Sequence, residues 1–242
     1  MQPLSQLACR DTEVILRHSR SRSPFSYFGT HDAQVHYHAG MMQEFLAFAE
    51  LGFRHITDLA AMDHILFLLA LAAIYQLRDW RSALWVITAF TVGHSVTLAL
   101  AVTGAIRLPT ELIEFLIPVT IIATCIENIV VRNRDRALWH GRYRPVFAGV
   151  FGLVHGAGFA NYLRDLFSDR IAMPLFGFNV GIEIGQIAVL AIAAVSFVAA
   201  DWIITRIRAS STSASSLRLR VLLVSVAVMI VAVRWAAERT PW

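Results

Sequence analysis

The sequence predicts an all-α integral membrane bundle: six transmembrane helices with a preceding amphipathic helix. Three observations predict it. Hydrophobic residues make up 57% of the 242-residue chain and charged ones only 16%, whereas a soluble domain is roughly 45–50% apolar. The apolar residues gather into stretches of about 20, the length that crosses a bilayer as a helix. Polar side chains interrupt these stretches in a repeated manner: Asp63-His64, His94-Ser95, Glu127-Asn128, His155, Asn179 and Glu183. A charged group at the bilayer centre costs about 2.5–3.5 kcal/mol on insertion scales, so such residues are expected to face a bundle interior or a polar cavity.

Residues 1–40 are polar, with scattered arginines and three histidines, His31, His36 and His38. This segment is expected to be solvated and poorly ordered, and residues 41–242 to form the membrane domain. No apolar stretch of the signal-peptide kind follows Met1, so no cleavable signal is predicted. Met41 to Phe53 alternates apolar Phe45, Leu46, Phe48 and Ala49 with Glu44 and Glu50, which predicts an amphipathic helix leading into the membrane. Spans are expected near 58–76, 83–104, 111–131, 145–163, 174–200 and 217–236. Pro109 and Pro174 suit helix starts, where a missing N–H costs nothing. Pro118 falls inside the third span, where it is expected to kink the helix.

Net charge is +4 with no lysine at all. A basic balance of this kind suits nucleic acid only when the charge forms one patch. Here Arg78 and Arg81, then Arg132, Arg134, Arg136, Arg142 and Arg144, then Arg206, Arg208, Arg218 and Arg220 crowd alternate loops. That asymmetry predicts that these loops are cytoplasmic and both termini outside, in a multi-pass protein of the inner membrane. The expected partners are therefore the lipid bilayer and no nucleic acid. Cys9 and Cys125 lie in a polar and an apolar segment respectively, and no CxxC pair exists, so neither a disulfide nor a thiolate metal site is predicted. The glycines of Gly152-xxx-Gly156 and Gly177-xxx-Gly181-xxx-Gly185 put small residues on one helix face and predict close helix packing.

The chemistry sits in the interior polar residues. His55, Asp58, Asp63 and His64 combine imidazole with carboxylate, a donor set suited to borderline divalent ions. At about 100° per residue, His55 and His64 point to opposite sides of a straight helix, so they converge only if the chain bends before Asp63. Broken helices at ion sites are a known membrane solution. A structural alternative is that Asp63 merely caps a helix and orients His64. Thr91, His94 and Ser95 share one arc of the second span. Thr120, Thr124 and Glu127 share a face of the third, with Asn128 adjacent. His155 lies among glycines that let another backbone approach. Asn179, Glu183 and Gln186 lie within about 60° of each other on a helical wheel. The candidate metal ligands are thus His55, Asp58, Asp63, His64, His94, His155 and Glu183, and the supporting polar interior is Thr91, Ser95, Glu127, Asn128, Asn179 and Gln186.

The sequence contains no HExxH, GxSxG, Walker or GxGxxG motif, which points away from the enzymes those motifs mark. The same histidines could instead ligate haem, hold a catalytic metal ion, or only stabilise a metalloenzyme's assembly partner.

The runs Gly52-Phe-Arg-His55-Ile56 and Asp63-His64-Ile-Leu-Phe-Leu-Leu-Ala-Leu71 resemble the HupE/UreJ family. So do Thr88-Ala-Phe-Thr-Val-Gly-His94-Ser-Val-Thr-Leu98, Phe151-Gly-Leu-Val-His155-Gly-Ala-Gly-Phe159 and Phe178-Asn179-Val-Gly-Ile-Glu183-Ile-Gly-Gln186. The resemblance covers about residues 45–240 in order. It implies a membrane permease for a divalent transition metal, nickel or cobalt, linked to a metalloenzyme maturation system. The metal would be the substrate, with no organic cofactor. It also implies that the family's histidine-then-Asp-His signature falls on His55, Asp63 and His64.

Overall fold

The computed structural model describes residues 30–59, 62–107, 109–131, 143–166, 171–207 and 213–241, of which 30–39, 160–166, 207 and 213–215 are described in backbone only. Among them every regular element is helical: α1 Thr30–Thr57, α2 Met62–Ala72, α3 Trp80–Val102, α4 Thr110–Val131, α5 Arg144–Leu166, α6 Ala172–Ile207 and α7 Ser213–Glu238, with a single 3₁₀ turn at Leu77–Asp79. Helices dominate because hydrocarbon offers backbone groups no partner, so each segment must satisfy its own.

Four stretches are long and apolar enough to cross a membrane: Leu77–Val102, Thr110–Val131, Ala172–Arg206 and Ser216–Glu238. A fifth is the pair Gly40–Thr57 and Met62–Ala72, bent by 68° at its break, if it crosses as one span. The expected count of six is therefore met for four helices, or five with the bent pair. The expected first span, 58–76, is in fact the second limb of that pair. The expected lead-in helix, 41–53, is part of its first limb and packs along α6 instead of standing apart. The polar segment predicted for 1–40 falls mostly outside the described residues, as do Cys9, Arg132, Arg134, Arg136, Arg142 and Arg208, while helix already begins at Thr30.

Glycine explains the lateral packing. A Cβ on Gly177, Gly181 or Gly185 of α6 would strike the backbone or side chains of α1 at Phe45, Ala49, and Phe53 with Ile56. The two helices thus lie backbone to backbone and run in the same direction. Both expected small-residue faces make close contacts, the Gly152-xxx-Gly156 one joining α5 to α3. Gly93 meets the Gly149 carbonyl, Gly152 the Phe90 carbonyl and Gly156 that of His94. At the end of α3, Gly104 takes φ +76°. Its N–H bonds the Ala101 carbonyl at 3.1 Å, the left-handed helix stop that favours glycine.

Two arginines expected in solvated loops are buried instead. Arg220 of α7 pairs with Asp201 of α6. It also donates to the carbonyls of Ala73 (3.3 Å) and Tyr75 (2.9 Å). Asn128 of α4 donates to the Ala70 carbonyl. These bonds satisfy carbonyls at and just beyond the end of α2 that have no helical partner, and so anchor an 11-residue limb too short to be stable alone. Arg144 is buried at the head of α5, where Glu127 of α4 neutralises it.

A candidate metal centre at the broken helix

Three histidines converge where α1 gives way to α2. His55 comes from the last turn of α1, His64 from the first turns of α2 and His94 from the middle of α3. One ligand atom from each lies within 4.8 Å of the other two. Ring centroids are 4.6 Å apart for His55 and His64, 6.3 Å for His55 and His94, and 6.4 Å for His64 and His94. The wheel argument required a bend before Asp63, and the 68° break supplies it.

Asp63 orients the group. Its Oδ1 accepts the His64 backbone N–H at 2.9 Å and lies 3.1 Å from the His64 Nδ1. A carboxylate only accepts, so it takes the Nδ1 proton and leaves a lone pair on Nε2, which is buried without a hydrogen-bond partner. His155 stands beside the three, its ring 5.2 Å from that of His64. The Thr120 hydroxyl donates to the Ile117 carbonyl at 2.7 Å and lies 3.3 Å from His155 Nε2. The hydroxyl oxygen therefore accepts an Nε2 proton, which places the lone pair of His155 on Nδ1.

Buried nitrogens without a hydrogen-bond partner concentrate here: Nε2 of His55, Nε2 of His64, both ring nitrogens of His94 and Nδ1 of His155. A buried polar atom without a partner is costly, and so many at one point fit a cation-binding role. Phenyl rings enclose them. Phe159 lies 4.1 Å and Phe178 5.7 Å from the His55 ring, while Phe90 (5.2 Å) and Phe67 (5.4 Å) flank His155. Sequence reasoning missed these aromatics. Their signal was spacing: Phe67, Phe90 and Phe159 lie three or four residues from His64, His94 and His155, hence on the same helix faces.

The other expected site residues divide. Asp58 is exposed at the break, where its backbone N–H continues the α1 ladder to the Arg54 carbonyl at 2.8 Å, and it does not join the three-histidine set. Glu183 is half-buried and accepts the Thr88 hydroxyl at 2.6 Å rather than joining the histidines. Gln186 accepts the Thr91 hydroxyl at 3.0 Å, and Ser95 bonds back to the Thr91 carbonyl at 2.6 Å. Asn179 keeps a buried Oδ1 without a partner. Glu127 and Asn128 belong to a separate group at the C-terminal end of α4, where both bind Arg144. Tyr143, just before α5, donates to Glu127. Burial and that carboxylate push the phenol up to about 12, so it stays a donor. His31, His36 and His38 lie on α1 backbone whose side chains are outside the described residues.

No curated protein and no solved structure matches the chain. The family described as HupE / UreJ protein matches residues 31–239, nearly the whole length. That span takes in both limbs of the broken helix and all four clustered histidines. Apolar helices, the broken-helix histidine site and this match agree, and the chain belongs to the HupE/UreJ family of multi-pass membrane proteins.

Proposed function

We propose that the protein is a permease that carries Ni²⁺ or Co²⁺ across the inner membrane toward the cytoplasm. The observation that carries this reading is the trio His55, His64 and His94, brought from three helices to within 4.8 Å. Imidazole suits nickel, cobalt, copper and zinc, whereas magnesium and calcium require oxygen. Three nitrogens with His155 nearby form an incomplete site. Conduction needs a site that binds yet releases, and an incomplete set serves this better than a closed four-ligand cage.

In this reading α5 is the sixth span and the arginine-rich loops are cytoplasmic, with both termini outside. Phe67, Phe90, Phe159 and Phe178 exclude water, so the cation exchanges its hydration shell for imidazole nitrogens. Asp63 supplies compensating charge through His64. Glu183, linked to Thr88, lines the approach with Thr91 and Gln186 as a polar layer between α3 and α6. The ion serves a metalloenzyme maturation system on the inner side.

Proteoliposomes test this. Saturable uptake of Ni²⁺ or Co²⁺ is expected, with no flux of Mg²⁺. Protons compete with metal for imidazole lone pairs, so uptake should fall as the external pH is lowered from about 8 to about 5. Flux no greater than in protein-free vesicles would refute the permease. A Soret band in the purified protein would favour haem at the same histidines.

A further inference from the structure

The polar face of α4 runs on past the histidines. Thr120, in contact with His155 at 3.3 Å, is followed at one-turn spacing by Thr124 and Glu127. Beside that face is a narrow crevice bordered by Phe67, Phe151, Thr124, Glu127 and Arg144. Phe67 closes its histidine end, with its ring 5.4 Å from His155 and 6.0 Å from Phe151. Arg144 closes the other. Its guanidinium donates to both Glu127 oxygens and to Asn128 Oδ1, and lies 5.5 Å from the Tyr75 ring centroid.

The donors around that guanidinium are arranged for a cation. Asn128 gives its amide N–H to the Ala70 carbonyl, which turns Oδ1 toward Arg144. The Thr124 hydroxyl donates to the Thr120 carbonyl at 3.0 Å, leaving its oxygen able to accept. Tyr75 completes the surroundings of the guanidinium with a side-chain hydrogen bond. A buried ion pair is a weak way to stabilise a fold, so this one invites a reason beyond packing.

We propose that Glu127, Asn128 and Thr124 form a second, oxygen-lined cation site, which a divalent metal ion occupies on leaving the histidines and which Arg144 fills between transits. The inference rests on the permease reading. Passage from nitrogen to oxygen donors weakens the hold on a late transition metal and favours release. Exchange of guanidinium for metal keeps a positive charge beside the Glu127 carboxylate throughout, so the buried anion never stands alone.

Co²⁺ binding to the purified full-length chain, read by equilibrium dialysis, tests it. The wild type should bind one equivalent, lost in His64→Ala. Arg144→Gln should bind two, the second lost when Glu127→Gln is added. A single equivalent in Arg144→Gln overturns the proposal. If that variant does not stay monodisperse, flux decides. Glu127→Gln should retain the His64-dependent equivalent yet lose about tenfold in transport, with Glu127→Asp recovering much of it. Wild-type flux in Glu127→Gln overturns the proposal. A wild type without a His64-dependent equivalent would sink the permease reading instead, and the gain in Arg144→Gln is read independently of it.

Discussion

His64→Ala is expected to abolish saturable metal uptake while the bundle stays helical. His64 is the hub of the site: its ring is nearest to that of His55, borders His94 and His155, and is the one ring that Asp63 orients. Removing it breaks up the three-histidine set and deprives the Asp63 carboxylate of its imidazole. A loss of at least about 100-fold in Co²⁺ affinity, about 2.7 kcal/mol, is expected. The cost to folding should be smaller, about 1–3 kcal/mol, because Asp63 Oδ1 still accepts a backbone N–H at residue 64. His94→Ala should behave similarly. His155→Ala should cost only about tenfold, as expected for a flanking group. Dialysis against Co²⁺ together with far-ultraviolet circular dichroism separates the two effects. Affinity for His64→Ala close to that of the wild type would remove His64 from the site.

Gly181→Leu is expected to have the largest effect on the fold. A Cβ there already overlaps the Ala49 carbonyl, and a leucine side chain has no rotamer that avoids α1. Overpacking costs about 1–3 kcal/mol and more when backbone must move, and here the obstruction is backbone. α1 must lift from α6, taking His55 with it, so metal binding should fall along with thermal stability. Gly40→Ala is the matched control. No atom lies within 4 Å of a Cβ at Gly40, and replacing a helical glycine by alanine stabilises by about 0.5–1 kcal/mol. A Gly181→Leu protein with the wild-type melting temperature would show that α1 does not pack on α6 as described.

The helices were legible because membrane spans must be long, apolar and self-bonded, and Pro109 and Pro174 mark two of their starts. The clustered histidines were legible through polar residues at helical spacing, and the bend through the opposed faces of His55 and His64, whereas Asp58 and Glu183 gave the same signal and stand apart. Pairing across helices was not. Nothing in the one-dimensional pattern says that Glu183 answers Thr88, or that Gln186 answers Thr91. Arg144 and Arg220 were read as topology signals, because a loop arginine and a buried one look alike until their partners, Glu127 and Asp201, are in place. The lead-in helix was read as peripheral because Glu44 and Glu50 gave it a polar side. The glycine ridge of α6 was legible in the sequence, but nothing there said that α1 is the helix that lies on it.

The two glycine seams divide the histidines between separate carriers. His55 travels with the α1–α6 pair, and His94 and His155 travel with α3–α5. A metal–imidazole bond is only about 2.0–2.1 Å long and tolerates little stretch. Sliding one carrier past the other by about an ångström, with both seams intact, therefore changes how many nitrogens can reach the ion at once. If the protein is the permease proposed above, grip and letting go would follow from the offset between the two helix pairs, without unfolding any helix.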